Sequence, residues 1–408
     1  MANCRFCGKE LEHLFVSLGK APLSNSFLDR EELDREEPVY PLDVYVCDGC
    51  FLVQLPGSKR PEEIFSEYAY FSSYSDTWLE HARRYADKMT GLFGINENSL
   101  VMEVASNDGY LLQYFKEKKV PVLGIEPALN VARAARDKGI PTETVFLGKD
   151  TAKDIAVNRG RADLLVGNNV LAHVPDINDF VEGVGVLLKR GGVITMEFPH
   201  LMRLIEDIQF DTIYHEHFSY FSFITAEKIF AAHGLVIFDV EEIPTHGGSL
   251  RIYVRHGDNT GLPVSERVRE LKRRETDAGY ADIEHYMGFD GRVRKVKKDV
   301  VRFFDEARAE GKKVAGYGAA AKGNTLLNYC GIDAGAVDYV ADKNPYKQGR
   351  FLPGSRIPVE TPEKIKETKP DYVLILPWNI RQEITDQLGF VREWGGRFVT
   401  VIPKVRVF

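Results

Sequence analysis

No stretch of this sequence approaches the ~20 consecutive apolar residues of a membrane-spanning helix. The opening "MANCRFCGKELEH" also lacks the apolar core of a secretory leader. A cytoplasmic chain with no membrane partner is the expectation. Surplus positive charge is missing too, since 53 Lys and Arg against 60 Asp and Glu leave a net charge of −7. That disfavours nucleic acid as the main partner. Cysteine is scarce, five in 408 residues, and a cytosolic chain is not expected to rely on disulfides. What remains is an ordinary globular composition, 44% hydrophobic and 28% charged. The chain is too long for one core, so two or three domains are expected.

The few cysteines are informative by spacing. Cys4 and Cys7 in "CRFC" and Cys47 and Cys50 in "CDGC" form two Cys-x-x-Cys pairs. Each pair offers two thiolates from one tight turn, and two such turns make the closed four-sulfur site of structural zinc. A small segment around them barely supports its own core, which makes a metal staple useful. Neither pair lies between a strand and a helix of a βαβ unit, as a thioredoxin-like redox pair would. Cys330 in "NYCGI" reads as a small buried residue.

"SLVMEVASNDGYLLQYFKEKKVPVLGIEPA" reads as strand, turn, helix and second strand. Its turn is neither G-x-G-x-x-G nor a phosphate-clasping Walker loop. Asn107 and Gly109 let backbone approach a ligand at the helix start, and Glu126 closes the second strand, where a carboxylate holds ribose hydroxyls. The turn resembles that of S-adenosylmethionine-dependent methyltransferases, which tolerate the acidic Glu103 because their ligand carries a sulfonium and an amine. Under that resemblance Glu103, Ala105, Asn107, Gly109, Glu126 and Pro127 face the cofactor, and Phe146 flanks its adenine. Asn168 and Asn169 then follow strand four, beside His173. A Gly-Gly turn at 191–192 leads to strand five, and "VIFDVEEI" with "SLRIYVRHG" forms a closing antiparallel hairpin that a dehydrogenase would not be expected to have.

Residues 262–312 are charged and helical with an apolar face, read mainly as a solvated connection. "KKVAGYGAAAKGNTLLNYCG" then opens a second doubly wound α/β unit. Gly316 and Gly318 make its first turn permissive, Asp342 ends its second strand, and Lys322 suits a phosphate. Such a unit either recognises a phosphorylated or nucleotide-linked substrate or merely packs. The expected fold is thus α/β throughout: a small zinc-binding domain (1–74), a class I methyltransferase, Rossmann-like domain (75–258) and a C-terminal Rossmann-like domain (259–408).

"DTIYHEHFSYFS" (211–222) crowds His215, Glu216 and His217 among aromatics, a costly arrangement without a purpose. Adjacent residues rarely converge on one metal, and H-E-x-x-H spacing is absent here. Together with "HGGSLR" and "GYGAAAKGNT", this segment resembles the bacterial sugar C-3′-methyltransferases, along the whole chain. That family methylates a carbon of nucleotide-linked 4-keto-6-deoxyhexoses with S-adenosylmethionine. The resemblance implies catalytic Tyr214, Glu216 and His217, with His217 as base, joined by His173 and by Tyr68 of "SEYAYFSSYS". It gives His215 no role. Tyr70, His246, Arg251, Tyr317, Lys322 and Asn324 become the substrate-binding set.

A C-4 ketone acidifies the C-3 hydrogen, and a histidine titrating near ~6.5 is a suitable base. Glu216 adjoins His217 and would face away from it in a regular strand, so the segment is expected to be irregular, or Glu216 to meet the sugar. Tyr214, Tyr68 and His173 are candidate donors to an enolate oxygen. An O- or N-methyltransferase is the rival enzyme, needing no ketone. A zinc-ribbon protein that binds nucleic acid is the rival of another class, disfavoured by the acidic "DREELDREE" between the cysteine pairs.

Overall fold

A computed structural model of the protein describes residues 2–57, 72–74 and 76–408; Tyr68 and Tyr70 lie outside them. Three sheets organise the described residues, their strands numbered along the chain. In the first, β1 (His13–Ala21), β2 (Tyr40–Val46) and β3 (Val53–Gln54) run antiparallel. Leu42, Val44 and Val46 alternate inward along β2, the period of a half-buried strand. β1 breaks that period by burying both Phe15 and Val16, and the register slips between Leu14 and Val16 to allow it. The fourth strand is borrowed from the middle of the chain: β9 (Ser219–Tyr220) pairs with β3 through Val53–Tyr220 and Gln54–Ser219. The end of "YHEHFSY" is thus stitched into the cysteine-bearing sheet.

The central sheet contains β4 (Val101–Val104), β5 (Val122–Ile125), β6 (Thr142–Glu143), β7 (Ala162–Asn168), β8 (Leu188–Pro199), β10 (Leu235–Ile243) and β11 (Ser249–His256). Their order is β10-β11-β8-β7-β4-β5-β6, with β11 antiparallel to both neighbours and the other pairs parallel. This is the class I methyltransferase arrangement, closing hairpin included. β4 and β7 are buried on both faces, as strands covered by helices must be. Gly191 and Gly192 do not form the expected turn; both lie inside β8. A Cβ on Gly192 would sit 2.8 Å from the Ala162 carbonyl oxygen, so close backbone approach explains that glycine.

The third sheet is built from β12 (Val314–Tyr317), β13 (Val340–Ala341), β14 (Val359–Glu360), β15 (Tyr372–Ile375), β16 (Arg397–Thr400) and β17 (Arg406–Val407). Its order is β14-β13-β12-β15-β16-β17, parallel except for β17, the second doubly wound unit. The charged connection is more than a solvated spacer. In the helix Phe289–Ala309, Phe289, Val293, Val296, Val300 and Phe304 form a buried stripe at helical spacing. Phe289 stacks on Phe15 of β1 at 4.5 Å, and the same core reaches Val314 and Leu374. One apolar core therefore joins the first and third sheets.

Candidate active site

The four cysteines converge. Cys4 and Cys50 Sγ lie 3.5 Å apart, as do Cys7 and Cys47, and all four sulfurs fall within 4.8 Å of one another. A tetrahedral zinc with bonds of ~2.3 Å spaces its sulfurs by about 3.8 Å, so the donor set fits that ion. Cys330 is buried apart from them, as expected.

A cavity of about 870 Å³ opens at the carboxyl ends of β4, β5 and β7, where the order of the central sheet reverses. That is near the upper end of the ~300–1,000 Å³ typical of small-molecule sites, enough for two ligands. Ala105 and Asn107, at φ of 55° and 50°, bend the turn after β4 into the left-handed region. Gly109 is required twice over, by its φ of 77° and by Ile140, whose Cγ1 would lie 2.9 Å from an added Cβ. Glu126 is oriented by two backbone donors, Asn107 N–H at 3.0 Å and Ala128 N–H at 2.9 Å. Burial nevertheless raises its pKa, and burial beside Glu126 and Asp108 pushes Glu103 well above the carboxylate range. Pro127, Phe146, Asn168 and Asn169 complete this wall. Both amide atoms of Asn168 are buried without a partner among the described residues. Carboxylates, an orphaned amide and a strained turn fit a cationic nucleoside ligand such as S-adenosylmethionine.

On the opposite wall the segment Ile213–Phe218 is irregular, as its adjacent titratable residues anticipated. His217 N–H donates to the Tyr214 carbonyl at 2.9 Å, and Phe218 N–H to the Ala172 carbonyl at 2.7 Å. His217 Nδ1 donates to the Thr212 carbonyl at 2.9 Å, and His173 Nδ1 to that of Glu216 at 2.8 Å. A carbonyl only accepts, so each ring carries its proton on Nδ1 and its lone pair on Nε2. The rings lie 4.8 Å apart, with Tyr214 4.1 Å from His217. Burial drives His173 down to about 4 and, with His173 beside it, His217 well below its ordinary value. Glu216 does not serve His217; it accepts from Asn25 Nδ2 at 2.6 Å, and burial raises it to about 7. His215 faces the Tyr40 and Pro41 carbonyls of β2 instead, at 3.2 Å each.

His246 reaches the cavity through "HGG". Its own φ is 56°, and Gly247 and Gly248 follow at 93° and 116°. A Cβ on Gly247 would meet Trp378 at 2.5 Å, so the indole packs on bare backbone. Lys322 enters from the third sheet, 4.4 Å over the Trp378 ring and hydrogen-bonded to Asn379. Burial lowers it to about 8, opposed by Asp211, which burial raises to about 6 and which accepts from Trp378 Nε1 at 2.7 Å.

Three residues expected at the substrate are not brought there. The Arg251 guanidinium is held by Glu197 at 2.7 Å and Glu241 at 3.0 Å, behind the wall. Tyr317 belongs to the interior of the third sheet, and Asn324 donates to the Ser24 carbonyl at 2.6 Å, tying first and third domains together. Conversely, Asn25, Phe27, Trp78, Lys347 and Arg350 line the cavity unanticipated. Asn25 had a faint signal, three polar residues, Ser24 to Ser26, inside the otherwise apolar "APLSNSF". The others sit on loops or a helix edge with no pattern to mark them.

Family models match three consecutive segments: a zinc binding domain (residues 4–65), a methyltransferase domain (78–240) and a C-methyltransferase C-terminal domain (244–403). The protein is therefore an S-adenosylmethionine-dependent methyltransferase with an added zinc-binding domain. It is 37% identical to the C-methyltransferase NovU of Streptomyces niveus over 405 residues, 99% of this chain and 96% of that protein, and it belongs to that C-methyltransferase family. Solved structures with a related fold include an S-adenosylmethionine-dependent methyltransferase from Clostridium acetobutylicum (12% identity, 44% of this chain and 92% of that one, TM-score 0.35). Another is the magnesium protoporphyrin IX methyltransferase of Synechocystis (14% identity, 43% and 82%, TM-score 0.34). These distant likenesses bear on neither substrate nor mechanism. No helix among the described residues is long and apolar enough to cross a membrane.

Proposed function

We propose that the protein methylates C-3 of a nucleotide-linked 4-keto-6-deoxyhexose, with His217 as the base that forms the enolate. The observation that carries this reading is the tautomer: the Thr212 carbonyl fixes the proton of His217 on Nδ1 and leaves a basic Nε2 in a ring that lines the cavity of the cofactor turn. A neutral imidazole at physiological pH follows from its depressed pKa. Nε2 takes the C-3 proton, the C–H electron pair passes to the C-4 oxygen, and the enolate carbon then attacks. S-adenosylmethionine, held by the turn after β4 and by Glu126, would supply the electrophilic methyl, whose bond to sulfur breaks as the new C–C bond forms.

This chain's residues do the rest. Glu103, Ala105, Asn107, Gly109, Glu126, Pro127, Phe146, Asn168 and Asn169 hold the cofactor. Glu216, Tyr214 and His173 face the reacting sugar. A donor to the enolate oxygen is worth about 2.7–4 kcal/mol. That role is open to Tyr214 and to a protonated Glu216 but not to His173, whose Nδ1 proton goes to the Glu216 carbonyl and whose Nε2 carries a lone pair. Lys322, from the domain assigned to residues 259–408, lends positive charge to the nucleotide end, with His246 on the same wall. The zinc of domain 1–74 is structural, since four thiolates leave no open position. An O- or N-methyltransferase would need a base but gains nothing from an enolate-stabilising wall.

The test is incubation of the nucleotide-linked ketosugar with S-adenosylmethionine in deuterated water, followed by mass spectrometry. One added methyl with loss of the C-3 hydrogen is expected. His217→Ala is expected to lose both methylation and C-3 exchange, by about 10²–10⁴-fold. Exchange that survives in the variant moves the base to His173. Methylation of the reduced 4-hydroxy sugar overturns the C-methylation reading.

A further inference from the structure

Glu216 is buried at 5% exposure, and among the described residues its carboxyl is met by a hydrogen bond from another domain: Asn25 Nδ2 reaches its Oε1 at 2.6 Å. An amide nitrogen only donates, so Oε1 must be the accepting oxygen. Any proton on the carboxyl then resides on Oε2, the oxygen left for a ligand. The loop carrying Asn25 is itself anchored. Ser24 carbonyl accepts from Asn324 Nδ2, Phe27 N–H donates to the Asn25 carbonyl at 3.0 Å, and Lys347 lies 5.3 Å over the Phe27 ring. Leu28 pairs with Phe351 across a β-bridge. A side chain held on both flanks aims its amide with little freedom, which positions a partner better than a mobile loop does.

We infer that Asn25 of the zinc-binding domain is a positioning residue for methyl transfer, fixing Glu216 so that it presents a protonated Oε2 to the developing enolate oxygen. This rests on the ketosugar reading above. Glu216 would then act as a neutral acid, the form that burial favours near pH 7. His173, His217 and His246 on the same wall are held neutral by burial. Lys322 and Lys347 enter the cavity from the third domain and would favour an ionised carboxyl, but burial dominates at Glu216, opposed by the Asn25 hydrogen bond. Asp176 and Asp179 share the cavity from the loop and helix after His173. The inference also explains why a zinc clip belongs to this enzyme: the sheet it closes carries the loop that aims the acid.

Two measurements test it. Infrared difference titration of the Glu216 carboxyl, identified by its absence in Glu216→Gln, needs no substrate. Asn25 stabilises the ionised form, so Asn25→Ala is expected to move the midpoint to higher pH. Asn25→Asp, which sets a second carboxyl there, is expected to move it further. Kinetics with thymidine-diphospho-4-keto-6-deoxyglucose form the second arm. Asn25→Ala is expected to lower kcat about 10- to 100-fold, with KM for S-adenosylmethionine and zinc content unchanged, while the falling alkaline limb moves to higher pH. Glu216→Gln, whose amide still donates, is expected to keep activity within about 10-fold and to lose that limb. An unmoved carboxyl midpoint in both Asn25 variants overturns the inference, as does a kcat loss with an unshifted limb. A wild-type protein that methylates no ketosugar overturns the ketosugar reading instead, and the infrared arm still decides whether Asn25 controls Glu216.

Discussion

The two doubly wound sheets place a carboxylate at the same point and treat it alike. Glu126, after β5, accepts from Asn107 N–H of its first turn and from Ala128 N–H two residues on. Asp342, after β13, accepts from Ala319 N–H of its first turn at 2.7 Å and from Asn344 N–H two residues on at 2.8 Å. What differs is the space opposite. The central turn opens on the cavity, whereas Gly318 of the third sheet is packed so closely that a Cβ would lie 2.5 Å from Pro377. Lys347 adds a further cover 3.8 Å from Asp342. The same carboxylate motif thus faces the cavity in the central sheet, through Glu126, and is covered in the third, at Asp342. In the third sheet Gly318 and Asp342 are covered, while the loops beyond them face the shared cavity through Ala320, Lys322, Asn344, Lys347 and Arg350.

That contrast can be broken at several strengths. The largest effect is expected from zinc removal by chelation. Loss of the staple should unseat the loop carrying Asn25 and abolish methyl transfer by more than about 100-fold, while S-adenosylmethionine affinity measured by calorimetry stays within a few-fold. Equal loss of both would show that the central sheet does not bind cofactor independently. Next, Glu126→Ala is expected to weaken S-adenosylmethionine binding about 10- to 100-fold, the cost of two ribose hydrogen bonds to a charged group. Asp342→Ala should leave that affinity unchanged and instead lower the thermal midpoint. A cofactor defect in Asp342→Ala would mean that the covered carboxylate also contributes to the cofactor site.

Lys322→Met is expected to raise KM for the nucleotide sugar about tenfold or more without altering cofactor affinity. In Glu216→Gln, which lacks the limb near pH 7, a residual decline above about pH 8 should report loss of the Lys322 proton. On the acid side, a base whose pKa is depressed stays neutral as pH falls, so the acid limb should lie below pH 6.5 in a pH–rate profile. The smallest effect concerns stability. Burial raises Glu216 in the folded state, so its ionisation costs stability above the unfolded value, and the folded protein gains as pH falls from about 7. Glu216→Gln should therefore stabilise the protein at pH 8 by an amount on the order of 1–3 kcal/mol, read by denaturant titration. No stabilisation would mean that Glu216 is not held in a desolvated site.

Much of the site was readable where one local pattern carries its own reason. Two Cys-x-x-Cys pairs, an acidic turn with Asn107 and Gly109, and a carboxylate closing the next strand each state a chemistry within a few residues. Residues whose role depends on distant partners were not readable in that way. Arg251 resembles a substrate ligand until Glu197 and Glu241 are seen to claim it, and Asn324 until Ser24 is found beside it. Gly191 and Gly192 suggested a turn, because no local rule reveals a carbonyl of another strand pressing on the backbone.

Short-range pattern in the chain was enough for the three-part α/β plan, the four-cysteine cluster and the crowding of titratable groups in the "YHEH" segment. Period, turn residues and thiolate spacing act over short range and survive without knowledge of neighbours. Packing across the chain alone fixes that the Glu216 carboxyl meets Asn25 and not His217, that the Thr212 carbonyl sets the tautomer of His217, and that Glu126 faces the cavity while Asp342 is covered. Those outcomes depend on which atoms fill the space around each group, and in a close-packed interior that is fixed by the fold as a whole.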